Sequence, residues 1–276
     1  MTKKQQKILL IAVLASFVAF LDGSVINVAL PAMANELGGG LILQQWVVDA
    51  YLITLGALML IAGSLSDLFG RKKILLAGLI GFGATSLLCA VAPTGEFLIL
   101  SRALQGCAGA LLVPSSLALI ISGFSGPAQG KAIGSWTAWT GMAFLVGPLL
   151  GGLLVDTSSW RLIFAINIIP ILVTLWLLAG IKDPEEKHER TKVDVTGAVL
   201  AAVGLGGPVF ALIEQGRFGW ENPVVSVPLV VGLVSLFAFI WYERKTPNAM
   251  LPLGLFSARN FSVGNIATTA IYAGLS

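Results

Sequence analysis

Gly63-Ser64-Leu65-Ser66-Asp67-Leu68-Phe69-Gly70-Arg71-Lys72-Lys73 lies at the junction of two apolar runs, residues 45–65 and 73–92. Each run has about 20 residues, the length of a helix that crosses a bilayer. Three adjacent cations beside such runs mark a loop held at a membrane surface. The same pattern repeats outward along the chain. Further apolar runs occupy 8–30, 97–121, 131–154, 161–180, 195–214 and 224–242, and a ninth begins near Phe261. They are continuously apolar, which argues against a strand barrel, whose segments alternate over about 10 residues. The composition points the same way. Hydrophobic residues make up 56% and charged residues 11% of the 276, whereas a soluble domain carries about 25% charged residues. An ordinary soluble enzyme, a disordered chain and a disulfide scaffold are excluded. The expected class is an all-α integral membrane protein.

The loops set an orientation. With the N-terminus in the cytoplasm and alternating spans, all but Arg102, Arg161 and Arg217 of the 17 basic residues fall in or beside cytoplasmic loops. Such asymmetry follows the positive-inside rule. A cleaved leader is the rival for the start: MTKKQQK is basic, and Ala32-Met33-Ala34 resembles a cleavage site. Asp22 and Asn27 interrupt that run, and it is long enough to span. The net charge of +3 gives no reason to expect nucleic acid. Cys89 and Cys107 sit inside apolar runs and read as buried apolar residues. The single histidine, His188, lies in a charged loop, so no metal-ligating group is expected. Neither a nucleophile–base grouping nor a Walker loop is visible, so no enzyme activity and no ATP-driven step is expected.

Two ionisable residues stand inside apolar runs. Asp22 precedes Pro31 by nine residues, about 13 Å along a helix. Intramembrane acids are costly and commonly functional. Desolvation there favours the neutral acid, which makes Asp22 a candidate proton carrier. Arg102 is buried in the fourth run and needs a partner, for which Asp22 is the candidate. A fixed ion pair without a transport role is the competing reading. Asp49 is placed one turn into the second helix, either as a cavity acid that attracts cations or as a solvated group near the outer interface. Trp46, Tyr51, Trp136, Trp139 and Trp160 read mostly as interface anchors, with an aromatic drug cavity open to one or two.

Four motifs together resemble the major facilitator superfamily, specifically its fourteen-helix drug:proton antiporters of the QacA/EmrB type. Leu21-Asp22-Gly23-Ser24-Val25-Ile26-Asn27-Val28-Ala29-Leu30-Pro31 resembles their first-helix motif, with Ser24 in the place of Thr. Gly63–Lys73 resembles the superfamily's loop between helices two and three, although Leu68 stands where a basic residue is common. Leu98–Ala110 resembles the fourth-helix motif, with Arg102 and the Gln105-Gly106 pair; Ala108-Gly109 reverses the usual order. Ala143–Gly152 resembles the fifth-helix antiporter motif, with Ala143 for the first Gly. Trp160–Pro170 and the stretches Asp194–Gly197 and Ala211–Trp220 match the start of helix six and an inserted helix pair.

The resemblance implies a major facilitator fold with a six-helix bundle over 1–181, a cytoplasmic linker over 182–194 and an inserted pair over 195–242. A cytoplasmic loop over 243–260 and the start of a ninth helix over 261–276 complete it. Asp194 is a candidate helix cap. The resemblance implies Asp22, Arg102, Asn27 and Gln105 as proton-coupling or substrate residues; Asp49, which stands where the family often has Thr, joins them as a candidate substrate residue on its own reading as a cavity acid. Gly63, Asp67, Gly70 and Arg71 would form a cytoplasmic gating loop, with Gly permitting the turn and Asp67 latching to Arg71 or a helix end. Gly147, Pro148, Gly151 and Gly152 would form the antiporter motif, or simply a packing face. The implied activity is proton-coupled efflux of lipophilic, commonly cationic compounds across the cell membrane, driven by the proton gradient without a cofactor. The ninth run is still open at Ser276, so the expectation is part of a longer transporter lacking its C-terminal bundle. The alternatives are an incomplete chain without transport of its own and an uptake carrier for a small metabolite.

Overall fold

The computed structural model describes residues 1–181, 194–246 and 253–275, and every regular element among them is helical. The helices are α1 (Lys3–Leu37), α2 (Gly40–Phe69), α3 (Arg71–Ala90), α4 (Gly95–Gly123), α5 (Pro127–Thr157), α6 (Leu162–Ala165), α7 (Ile168–Ala179), α8 (Val195–Phe218), α9 (Pro223–Lys245) and α10 (Arg259–Leu275). A 3₁₀ turn, Leu253–Ser257, precedes α10. Eight segments are long and apolar enough to cross a membrane, with α6 and α7 together forming the sixth. They coincide in number with the eight complete apolar runs. Most of 182–194 and part of 243–260 lie outside the described residues.

Several helices are longer than their runs. α1 has 35 residues, about 52 Å at 1.5 Å per residue, against a hydrocarbon core of about 30 Å. Its start is set by Thr2, whose hydroxyl accepts from the Gln5 amide at 3.2 Å while the Gln5 side chain accepts from the Thr2 amide at 2.9 Å. α4 starts on the Thr94 cap and α8 on Asp194, whose carboxylate accepts from the Gly197 amide at 2.8 Å. Gly70, at φ +98°, ends α2 and begins α3. A side chain rarely adopts that backbone, so this position demands glycine.

The sixth span is not one regular helix. Pro170 has no amide to offer the Ile166 carbonyl, and the Ile169 amide takes that carbonyl at 3.3 Å in a tighter turn. The chain tightens at Ile166 and Asn167, between α6 and α7.

Glycine lets the helices meet closely. A Cβ on Gly106 of α4 would collide with Thr54 Oγ1 and the Tyr51 carbonyl of α2. One on Gly207 of α8 would lie 2.9 Å from the Gly232 Cα of α9. These are small-residue contacts of the kind that join helices in lipid. Two apolar cores result. One contains Ile11, Ala15, Leu75, Phe82, Leu112 and Leu178, toward the N-terminal half of α1. The other contains Ile26, Met33, Val47, Leu98, Ile163 and Phe164, toward its C-terminal half.

Candidate functional site

A polar layer lies between the two apolar cores. Asp22 of α1 is 1% exposed and Arg102 of α4 is fully buried. Arg102 Nη1 donates to Asp22 Oδ2 at 2.5 Å. The other carboxylate oxygen accepts from Gln105 Nε2 at 3.0 Å and Asn167 Nδ2 at 2.9 Å. Both amides also reach Ser86 Oγ of α3, at 2.8 and 3.3 Å. Arg102 Nε donates to the Val47 carbonyl of α2 at 3.0 Å, and Nη1 also donates to Gln105 Oε1 at 2.7 Å. The guanidinium stacks 4.2 Å from the Tyr51 ring centroid, a cation–π contact strengthened by desolvation. Thus α1, α2, α3, α4 and the α6–α7 junction all contribute to one buried ion pair.

The spacing explains the assembly. Arg102 and Gln105 are three apart on α4 and therefore share a face. Gly106 lets α4 approach α2 closely enough for Arg102 to reach the Val47 carbonyl. The Pro170 irregularity places Asn167 at the start of α7, pointing into the layer. Asn167, Ser86 and Tyr51 were not among the candidate site residues. The signal for Asn167 was the Asn-x-x-Pro spacing; Ser86 and Tyr51 carry no such mark, and Tyr51 is a buried support rather than an interface anchor. Cys89, expected to be merely apolar, lies with its Sγ 3.4 Å from Gln105 Oε1.

Other candidates lie apart from this layer. Asn27 is exposed on α1. Asp49 is half-buried and makes no hydrogen bond or ion pair among the described residues. Because α2 begins at Gly40, Asp49 stands more than two turns into it, not one. Gly63 lies inside α2 with open space around it, so Gly70 and not Gly63 makes the turn. The Asp67 side chain lies outside the described residues. Arg71 opens α3, and the neighbouring Lys72 Nζ donates to the Ile181 carbonyl at 2.7 Å, tying that loop to the end of α7.

The fifth-helix motif joins α5 to α1. A Cβ on Gly147 would stand 2.7 Å from Ser24 Cβ, and one on Gly151 3.0 Å from the Val25 carbonyl oxygen. Pro148 leaves the Phe144 carbonyl without its helical donor, and the Ser24 hydroxyl donates to it at 3.4 Å. Gly152 faces open space. Beside this contact, Phe17, Trp139, Met142 and Val146 line an apolar groove of about 550 Å³ between α1 and α5. At the far end of α1, Glu36 accepts from Arg161 Nη1 at 2.5 Å and Trp160 Nε1 at 2.6 Å. Arg161 Nη2 also reaches the Ala92 carbonyl at 3.0 Å, closing a clasp between the end of α1, the loop after α3 and the residues that lead into α6. Among the described residues no group of three His, Cys, Asp or Glu could hold a metal ion.

Residues 12–276 match the family described as Major Facilitator Superfamily. The chain is 37% identical over 252 residues to puromycin resistance protein pur8 of Streptomyces alboniger, covering 91% of this chain and 50% of that protein. It is 33% identical over 273 residues to the methylenomycin A resistance protein of Bacillus subtilis, covering 97% and 58%. It therefore spans about half the length of these relatives. The proton:xylose symporter XylE bound to 6-bromo-6-deoxy-D-glucose superposes with a TM-score of 0.57 at 16% identity, over 87% of this chain and 54% of that one. That likeness concerns the fold. The helical architecture, the membrane-length segments and the match along nearly the whole chain make this protein a multi-pass member of the major facilitator superfamily.

Proposed function

We propose that the chain belongs to a proton-coupled exporter of lipophilic, commonly cationic compounds in the plasma membrane, with its N-terminus in the cytoplasm. The relatives' names support the drug-resistance part of this reading. The whole transporter would include a further helical bundle against which this one rocks. The proton gradient would supply the energy, with no cofactor, and lipids would surround the exposed faces.

The observation that carries proton coupling is the sealed Asp22–Arg102 pair. A proton on Asp22 removes its attraction for Arg102, and a lone buried cation is costly. Arg102 keeps the Val47 carbonyl, Gln105 Oε1 and the Tyr51 face, so it has contacts that survive the loss of Asp22's charge. Protonation would therefore shift α1 against α4 rather than simply unfold the layer. The apolar groove beside Trp139 would hold part of the substrate. The test is transport by the full-length protein carrying Asp22→Asn in vesicles with an imposed pH gradient. Proton-driven export is expected to disappear while substrate binding persists. Wild-type coupled export would remove Asp22 from the mechanism.

A further inference from the structure

A second groove, of about 540 Å³, lies between α2, α4 and α8, away from the Asp22 layer. Trp46, Ile53, Ile99, Leu100 and Phe210 form its apolar walls, and Glu96 and Glu214 also line it. Its volume is in the range of small-molecule sites, about 300–1,000 Å³. Glu214 is only 8% exposed. Its Oε1 accepts from the Trp46 indole at 2.8 Å, and no Lys or Arg pairs with it among the described residues. A buried carboxylate is ordinarily matched by a cation. Among the described residues none that lines the groove is basic, and nearby Arg217 packs on Phe218 instead, 4.9 Å from the ring centroid. The Trp46 and Phe210 rings stand 5.4 Å apart and tilted by 60° beside the carboxylate. Aromatic faces attract cations through the ring quadrupole, most strongly where water is excluded.

We propose that this groove binds a lipophilic organic cation, with the charge beside Glu214 and apolar substituents against Trp46, Phe210 and Leu100. Glu96, in the first turn of α4, adds negative potential at the rim. The inserted pair thereby completes a cation site through α8, rather than serving only as a spacer. The substrate class is shared with the export reading. Binding at this groove needs neither proton coupling nor transport, so the two can fail separately.

The experiment is equilibrium binding of tetraphenylphosphonium to the purified full-length protein in lipid nanodiscs, with uncharged triphenylphosphine oxide as the control. Glu214→Gln retains an acceptor for Trp46 and removes the charge; it is expected to weaken the cation at least about tenfold and leave the neutral analogue unchanged. Phe210→Leu and Glu96→Gln keep the test available should Glu214→Gln fold poorly; each is expected to weaken the cation by a smaller factor. Absence of cation binding by the parent protein overturns the proposal. So does unchanged affinity in a folded Glu214→Gln, equal weakening of both ligands, or, where that variant fails to fold, unchanged affinity in Phe210→Leu and Glu96→Gln. The binding is read without a pH gradient, so it passes or fails independently of proton coupling.

Discussion

The Ser24 hydroxyl serves two needs of the neighbouring helix. It donates to the Phe144 carbonyl that Pro148 leaves unpaired, and it fills the space that Gly147 leaves open. Removing it by Ser24→Ala is expected to cost about 0.6–1 kcal/mol, the usual range for such bonds in membrane proteins. Gly147→Ala presses a methyl against Ser24 and the Val25 amide and is expected to cost about 1–3 kcal/mol. Reversible unfolding in mixed micelles measures both, and equal stability of Gly147→Ala and wild type would contradict the close α1–α5 approach. At the ion pair, Arg102→Met strands Asp22 and is expected to cost about 3–5 kcal/mol. Adding Asp22→Leu should restore part of that loss; a double variant as unstable as the sum of the singles would show that the pair is not coupled. Asp22 and Arg102 were legible because ionisable groups inside apolar runs are conspicuous, and Gln105 because it stands in the fourth-helix motif. Ser86 and Tyr51 were not, since a serine or tyrosine in a membrane helix has many ordinary places to point.

Among the elements, the α6–α7 break does the most to shape the site. An apolar count over 161–180 reads one span, and its length and composition are those of one. Pro170 changes the local hydrogen bonding four residues upstream, at Ile166, and the tightened turn brings Asn167 to Asp22. Pro170→Ala and Asn167→Leu are each expected to cost about 1 kcal/mol. They should be less than additive together, because the first acts through the residue removed by the second. Full additivity in a double-variant cycle would separate the proline from the asparagine. Gly63 gives the complementary lesson. Spacing marks several glycines in one motif, but only Gly70 has the positive φ that a turn requires.

For the whole molecule, orientation is the property that charge alone predicts. In a Cys107→Ser background, Val91→Cys lies in the loop between α3 and α4, and Ser125→Cys in the loop between α4 and α5; both positions are exposed. A membrane-impermeant maleimide added to intact cells is expected to label the first and to reach the second only after permeabilisation. The reverse pattern would invert the topology. The groove-forming faces are assembled from residues far apart in sequence, as when Trp46 meets Glu214, and no local periodicity announces such a meeting. By itself the sequence determined the eight long apolar segments, their helical class and the charge asymmetry of the loops, because bilayer thickness and backbone hydrogen bonding leave a continuous apolar run few other structures. Only the tertiary structure decided which polar groups face one another. Helix rotation and close glycine contacts aim Asp22 at Arg102, turn Asn27 outward and bury Glu214 against Trp46, and those rotations depend on every neighbouring helix at once.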